Sequence, residues 1–167
     1  NWVIFPEKIN GQFAILHSIS PKILINYFDN LNEFDDDEHV KTYYNNIMRK
    51  RGWDNWIRGA AAPPIKTDYG WLLLYHAMSN RDPNKYKLGA MILDEKDPAK
   101  ILYRSKQPVL EPKEYYENEG FKAGVVYCCG AVVKDKKLFI YYGGADKVTC
   151  VATADLNNFL KELIKKS

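Results

Sequence analysis

Short apolar runs closed by turn-forming residues recur in pairs along the chain. After Gly11, residues 12–17 and 22–28 alternate as two strands and end at Asp29-Asn30-Leu31. After Gly70, residues 71–76 and 87–93 repeat the plan with a loop between them and end in an acidic turn at residues 94–98. Residues 138–142 and 148–153 form the third copy, joined by Gly143-Gly144-Ala145-Asp146 and closed by Ala154-Asp155-Leu156. Each copy is a turn, an aromatic-rich strand, a polar loop, a small-residue strand and an acidic turn, at spacings of roughly 60 residues. Antiparallel units repeated at this period are the pattern of a β-propeller, so the chain is expected to be all-β, with about three consecutive blades. Ile15, Leu73 and Tyr141 are placed on the inner strands. Further strands fit residues 2–5, 101–104 and 124–133. Residues 155–166 carry the one helical pattern. Asp155 is its N-cap, Leu156, Phe159, Leu160 and Leu163 form its apolar face, and lysines close it. This helix is expected to cover an exposed blade face.

Between the first two copies lies a stretch of different character. Arg58 is followed by Gly59, Ala60, Ala61 and Ala62, four small residues that let backbone come close to something, and then by Pro63 and Pro64. The prolines fix φ and remove two donors, which predicts a rigid extended approach at an edge or a mouth and not inside a sheet. A turn at Asp68-Tyr69-Gly70 leads into the apolar strand that ends on His76. Arg58, Lys66 and His76 thus sit on well-positioned backbone and together suit an anion such as phosphate. The plainer alternative is three solvated or hydrogen-bonded side chains. Residues 32–51, with Asp35-Asp36-Asp37-Glu38 and Arg49-Lys50-Arg51, read as a surface excursion. The acidic run lacks calcium-loop spacing, so no metal is expected. Residues 111–121 form an acidic, aromatic loop able to line a mouth and offer flat faces to a sugar ring.

Composition narrows the class. The 167 residues suit one domain, and 46% hydrophobic residues provide a core without any run long enough to span a bilayer. Twenty-four basic and 21 acidic residues are well mixed along the chain and leave a net charge of +3 with no basic stripe, so neither nucleic acid nor membrane is expected as partner. Cys128, Cys129 and Cys150 lie in strand-like runs without metal-ligand spacing and read as buried thiols of a reducing, cytoplasmic compartment. The sequence opens on Asn1 with no visible signal peptide.

Several ordered phrases carry a resemblance. They are residues 5–11 (Phe-Pro-Glu-Lys-Ile-Asn-Gly), Trp53-Asp54-Asn55 with Arg58-Gly59, Pro63-Pro64-Ile65-Lys66-Thr67 with Gly70-Trp71-Leu72 and Tyr75-His76, Leu88-Gly89-Ala90, Asp97-Pro98 with residues 101–105, and Tyr142-Gly143-Gly144-Ala145-Asp146. In this order, from about Val3 to Phe159, the chain resembles glycoside hydrolase family 130, the β-mannoside phosphorylases and related β-mannosidases. The resemblance implies a five-bladed propeller of about twice this length, of which the chain is the C-terminal part. It implies cleavage of β-mannosidic bonds by inorganic phosphate with inversion, giving mannose 1-phosphate, and no cofactor beyond that co-substrate. An inverting enzyme protonates the leaving oxygen with one carboxylic acid while the nucleophile enters from the opposite face. Phosphate replaces the activated water, and cations replace the general base.

By the same resemblance, Lys66 and His76 with Arg58 match the basic positions around the phosphate, and Asp146, with Asp54 and Tyr142, is assigned to the sugar. Each has a plainer alternative. Arg58 can pair with Asp54 or Asp68, Lys66 can be solvated, His76 can be a satisfied polar residue at a strand end, and Asp146 can cap its own turn. Trp53, Trp56 and Trp71 read as core. The chain departs from the family at His17-Ser18, where many members have a basic residue after the histidine, and at Ala60, Ala61 and Ala62, where many have glycines and a third proline. The family's acid, an aspartate in Glu-Asp-Pro-Arg, has no counterpart, because that tetrapeptide does not occur. The acid is therefore expected upstream of Asn1, and the chain alone is expected to be inactive, to expose unpaired blade faces and to associate, including as a homo-oligomer. A β-mannosidase of the family and a non-catalytic carbohydrate-binding module are the alternative functions.

Overall fold

The computed structural model describes residues 1–35, 49 and 52–167. Its backbone is mostly strand, in three antiparallel sheets, with a short C-terminal helix. The first sheet has the order β1-β2-β3, from Val3–Ile4, Phe13–Ser18 and Leu24–Phe28. The second contains β4 (Trp56–Ala60), β5 (Ile65–Thr67), β6 (Gly70–Ser79), β7 (Asp82–Leu93) and β8 (Ile101–Arg104), in the order β4-β6-β7-β8 with β5 also on β6. The third has the order β11-β10-β9, from Val148–Asp155, Lys137–Gly144 and Val126–Lys134. Among the described residues two α-helices are added, α1 at Tyr115–Asn118 and α2 at Leu156–Lys165.

The second sheet is the middle layer, and β6 shows why its sequence is an unbroken apolar run. Alternate side chains of a strand point to opposite faces. Trp71, Leu73, Tyr75 and Ala77 enter one core with Phe5, Leu16 and Ile23 of the first sheet region. Leu72 and Leu74 enter a second core with Val126, Leu138, Ile140, Leu160 and Leu163. Both faces are buried, so both parities must be apolar. Each fully buried large side chain contributes about 1.5–3 kcal/mol of transfer free energy. β10 has a neighbouring layer on one face only and alternates accordingly, with Leu138, Ile140 and Tyr142 inward and Tyr141 exposed.

Close approach within the middle sheet depends on one glycine. A Cβ on Gly89 of β7 would fall inside the Tyr75 ring, its cross-strand partner, so the absence of a side chain lets that ring lie flat over β7. At the C-terminus, Asp155 caps α2 by accepting a hydrogen bond from the Asn158 amide at 2.9 Å. Leu160 and Leu163 are buried against β8 and β11, which places the helix over the second core.

Three expectations change. The stretch read as an extended approach contains two strands, β4 and β5, with Pro63 and Pro64 in the gap between them. Their missing donors therefore interrupt no ladder, and the Ala61 amide still reaches the Leu74 carbonyl at 2.9 Å. The presumed loop after His76 is instead hairpin: β6 and β7 continue to the Ser79–Asp82 pair around Asn80-Arg81. Its polar residues, largely solvated, hid the strands. Ile15, Leu73 and Tyr141 lie on β2, β6 and β10, strands with neighbours on both sides in their sheets. Of the cysteines, Cys128 is buried but Cys129 is exposed. The excursion at 32–51 begins with a 3₁₀ turn at Leu31–Asp35; residues 36–48, 50 and 51, including most of the acidic run, lie outside the described residues.

Overpacking typically costs about 1–3 kcal/mol and loss of an N-cap about 1 kcal/mol. Gly89→Ala is accordingly expected to destabilise the fold more than Asp155→Ala does, as read from urea midpoints at constant m-value.

Candidate functional site

The second and third sheets meet along a seam that carries polar groups. The Cys128 amide donates to His76 Nε2 at 3.0 Å, across the two sheets. That bond puts the imidazole proton on Nδ1, which is buried and has no partner among the described residues. His76 is fully buried, stacks on Tyr127 with centroids 4.4 Å apart and lies 5.2 Å from Tyr86. Burial pushes its pKa down to about 4, so it is a neutral donor at pH 7 and not a cation. Beside it, a register shift between Ile57 and Gly59 turns Arg58 out of the ladder. Arg58 is exposed, with its guanidinium 4.8 Å from the Trp56 ring. Burial raises the Tyr86 pKa, and the Arg58 cation acts against that rise. Asn1 completes this group, donating through Nδ2 to the Ala60 carbonyl at 3.1 Å and to the Tyr127 hydroxyl at 3.2 Å.

Asp146 stands at the same end of the seam. Ala145 and Asp146 form the β10–β11 turn with φ of 49° and 52°, the left-handed pair that matches strand twist in a tight hairpin. The turn is anchored by the Ala145 amide to the Val125 carbonyl at 3.0 Å, and Val125 bridges to Tyr86. Tyr127 follows Val125 by two residues and pairs with Gly143. The Asp146 carboxylate is exposed and makes no hydrogen bond among the described residues. A guanidinium, a neutral imidazole donor, tyrosine rings and a carboxylate are therefore mounted on one end of two adjoining sheets. Chemically, these groups suit an anion, a sugar face and sugar hydroxyls.

The other three candidates are placed elsewhere. Lys66 pairs with Trp71, five residues along β6 from His76, or about 17 Å at the usual strand rise. Its ammonium is 2.7 Å from Glu7 and 3.5 Å from Glu95, and the Glu7 hydrogen bond is the main cause of its raised pKa. Tyr142 is buried beneath the seam and donates to Glu117 Oε1 at 2.7 Å. Asp54 lies on the other side of β6: Tyr75, whose side chain points away from that of His76, donates to it at 2.8 Å. Arg49 pairs with the same carboxylate and Arg104 stands at 3.8 Å. Asp54, Arg49 and Arg104 line a cavity of about 560 Å³ with Trp53 and Lys106, separate from the seam. The pairing of Arg58 with Asp54 or Asp68 is not formed among the described residues, since Arg49 and Arg104 serve Asp54. Of the tryptophans, Trp71 is core, whereas Trp53 and Trp56 are half-buried.

Sequence reasoning passed over Tyr86, Tyr127, Glu117 and the Cys128 amide. The exposed parity of Tyr127 within residues 124–133 was the available signal. Tyr86 was hidden in the presumed loop.

A chain of stacked antiparallel sheets with this seam matches one family over nearly its whole length. Residues 1–165 match glycoside hydrolase family 130, described as beta-1,4-mannooligosaccharide phosphorylase. The chain belongs to that family. It is 42% identical over 155 residues to a 1,2-beta-oligomannan phosphorylase of Thermoanaerobacter sp. (strain X514), covering 93% of this chain and 50% of that protein. It is 40% identical over 160 residues to a beta-1,2-mannobiose phosphorylase of Listeria innocua serovar 6a, covering 92% and 42%. A solved structure of a Listeria innocua beta-1,2-mannobiose phosphorylase, in complex with beta-1,2-mannobiose, superposes with a TM-score of 0.78 at 36% identity, covering 97% of this chain and 46% of that one. The chain thus spans about half the length of these relatives.

His76 supplies a pH test. Its folded pKa of about 4 lies below the ordinary 6.5, so between those values the unfolded state binds more protons. The associated stability is fully present above pH 6.5 and is lost as pH falls towards 4, by on the order of 3 kcal/mol. Denaturation in His76→Gln is expected to lose part of this acid dependence, and the His76 ring NMR signals are expected to stay neutral down to pH 5.

Proposed function

We propose that the protein containing this chain is an inverting β-mannoside phosphorylase, and that the chain supplies about three consecutive blades of a five-bladed propeller. Family membership and three successive antiparallel sheets support the architecture. The observation that carries the functional reading is the seam, where Arg58, His76, Tyr127 and Asp146 stand at one end of two sheets. In this reading Arg58 holds phosphate, the buried His76 ring supports Tyr127 from beneath as the phosphate site's inner wall, Tyr127 offers its ring to the mannosyl face and Asp146 accepts from sugar hydroxyls. Phosphate held by a fixed guanidinium needs no general base, and inversion follows from its entry opposite the leaving oxygen. The general acid is assigned outside the chain, which has no Glu-Asp-Pro-Arg tetrapeptide.

One observation favours the runner-up, a β-mannosidase of the same family. Lys66 is engaged by Glu7 and Glu95, and His76 is uncharged, so of the three candidate cations Arg58 alone is left to hold phosphate. The assay that separates the readings incubates the full-length protein with β-1,2- or β-1,4-mannobiose, with and without phosphate. The expected product is mannose 1-phosphate, strictly dependent on phosphate, and Arg58→Gln is expected to raise the phosphate KM by about tenfold or more, the scale of one charge-assisted contact. Free mannose released equally without phosphate would establish the hydrolase. Residues 1–167 alone are expected to turn over neither substrate, because a positioned acid contributes about 10²–10⁴-fold.

A further inference from the structure

We infer that Glu117 is a positioning residue that holds the Asp146 hairpin against the seam; the inference rests on the reading that Asp146 binds sugar. Glu117 is 2% exposed, in a segment otherwise rich in exposed charge. Its carboxylate accepts three hydrogen bonds: from the Lys113 amide at 2.7 Å, the Glu114 amide at 2.9 Å and the Tyr142 hydroxyl at 2.7 Å. Its carbonyl accepts two more, from the Gly124 amide at 3.0 Å and the Val125 amide at 3.2 Å. One residue therefore joins α1, the strand β10 and the segment entering β9.

That segment touches both halves of the candidate site. On one side, the Val125 carbonyl accepts from the Ala145 amide, and the Lys122 amide donates to the Ala145 carbonyl at 3.1 Å, which brackets the residue before Asp146. Gly120 presses on the same turn, and any Cβ there would overlap the Ala145 carbonyl oxygen. On the other side, the Gly124 carbonyl accepts from the Tyr86 amide at 2.8 Å, next to His76 and Arg58. The distance from Asp146 to the cationic and aromatic groups is thus set through residues 117–125, and Glu117 fixes both ends of that segment. A glutamine keeps the shape but weakens the clamp: its one amide oxygen can accept from the Lys113 and Glu114 amides, yet these bonds lose the carboxylate charge, and its Nε2–H must donate to the Tyr142 oxygen in place of the bond that carboxylate accepted. The tyrosine of this set, Tyr142, acts with Glu117 and has its hydroxyl committed there.

The test compares Glu117→Gln and Tyr142→Phe with the unaltered full-length protein. Glu117→Gln is expected to raise the β-mannoside KM about tenfold while the phosphate KM changes less than about twofold, with Tyr142→Phe intermediate because it removes one donor of three. Hydrogen exchange, which needs no activity, is expected to quicken by about tenfold or more at the Gly124, Val125 and Ala145 amides and to stay unchanged in β6. Unchanged exchange at Ala145 overturns the inference, as does a loss of folded fraction with both KM values unaltered. If Glu117→Gln does not fold, Tyr142→Phe is judged by the same criteria. If the unaltered protein turns over no mannoside, the functional reading fails and exchange alone decides whether Glu117 holds the hairpin.

Discussion

The hydrogen bond from the Cys128 amide to His76 Nε2 is the constraint on which the candidate site depends. It ties the middle sheet to the third sheet, selects the imidazole tautomer and leaves the Nδ1 proton as a buried donor. Burial keeps the ring neutral, and the Tyr127 and Tyr86 rings pack around it. An unsatisfied buried donor costs free energy, typically about 1–3 kcal/mol, and such costs concentrate where function requires them. The candidate charges at the seam, Arg58 and Asp146, are exposed, while the geometry is set by neutral groups.

The layered arrangement explains how such a site is held still. β6 is buried on both faces, so its register against β4, β5 and β7 is specified twice, once by each core. The bulge at Ile57–Gly59 is the local departure that frees Arg58 from this frame. On the first-sheet side of β6, the buried Asp54 carboxylate gathers Tyr75, Arg49 and Arg104 into a separate polar cluster, and its hydrogen bonds are made within the chain. Adjacent residues Tyr75 and His76 thus belong to two different polar systems, a direct result of strand alternation.

Strands with strong apolar runs and the capped C-terminal helix were legible in the sequence, because burial writes itself into periodicity. The strands β4 and β5 were not, since the prolines between them dominate the local signal and each strand is short. The far ends of β6 and β7 were hidden by solvated polar residues. For the site, the stretch from Arg58 to His76 was legible as important backbone, but convergence was not. Three cations on one stretch suggest one anion, yet strand rise separates Lys66 from His76 and puts carboxylates beside the lysine. Burial, which decides that His76 is neutral, depends on the third sheet, more than 50 residues away in sequence. Tyr142 and Asp54 carry side chains suited to sugar, but each hydrogen bond is already made inside the protein.

The most direct measurement is a crystal structure of the full-length protein with β-1,2-mannobiose and phosphate. The account predicts phosphate within hydrogen-bond distance of Arg58, a mannosyl ring against Tyr127 and sugar hydroxyls that reach Asp146. Ligand bound instead in the cavity lined by Asp54 and Arg104, with the seam empty, would contradict it.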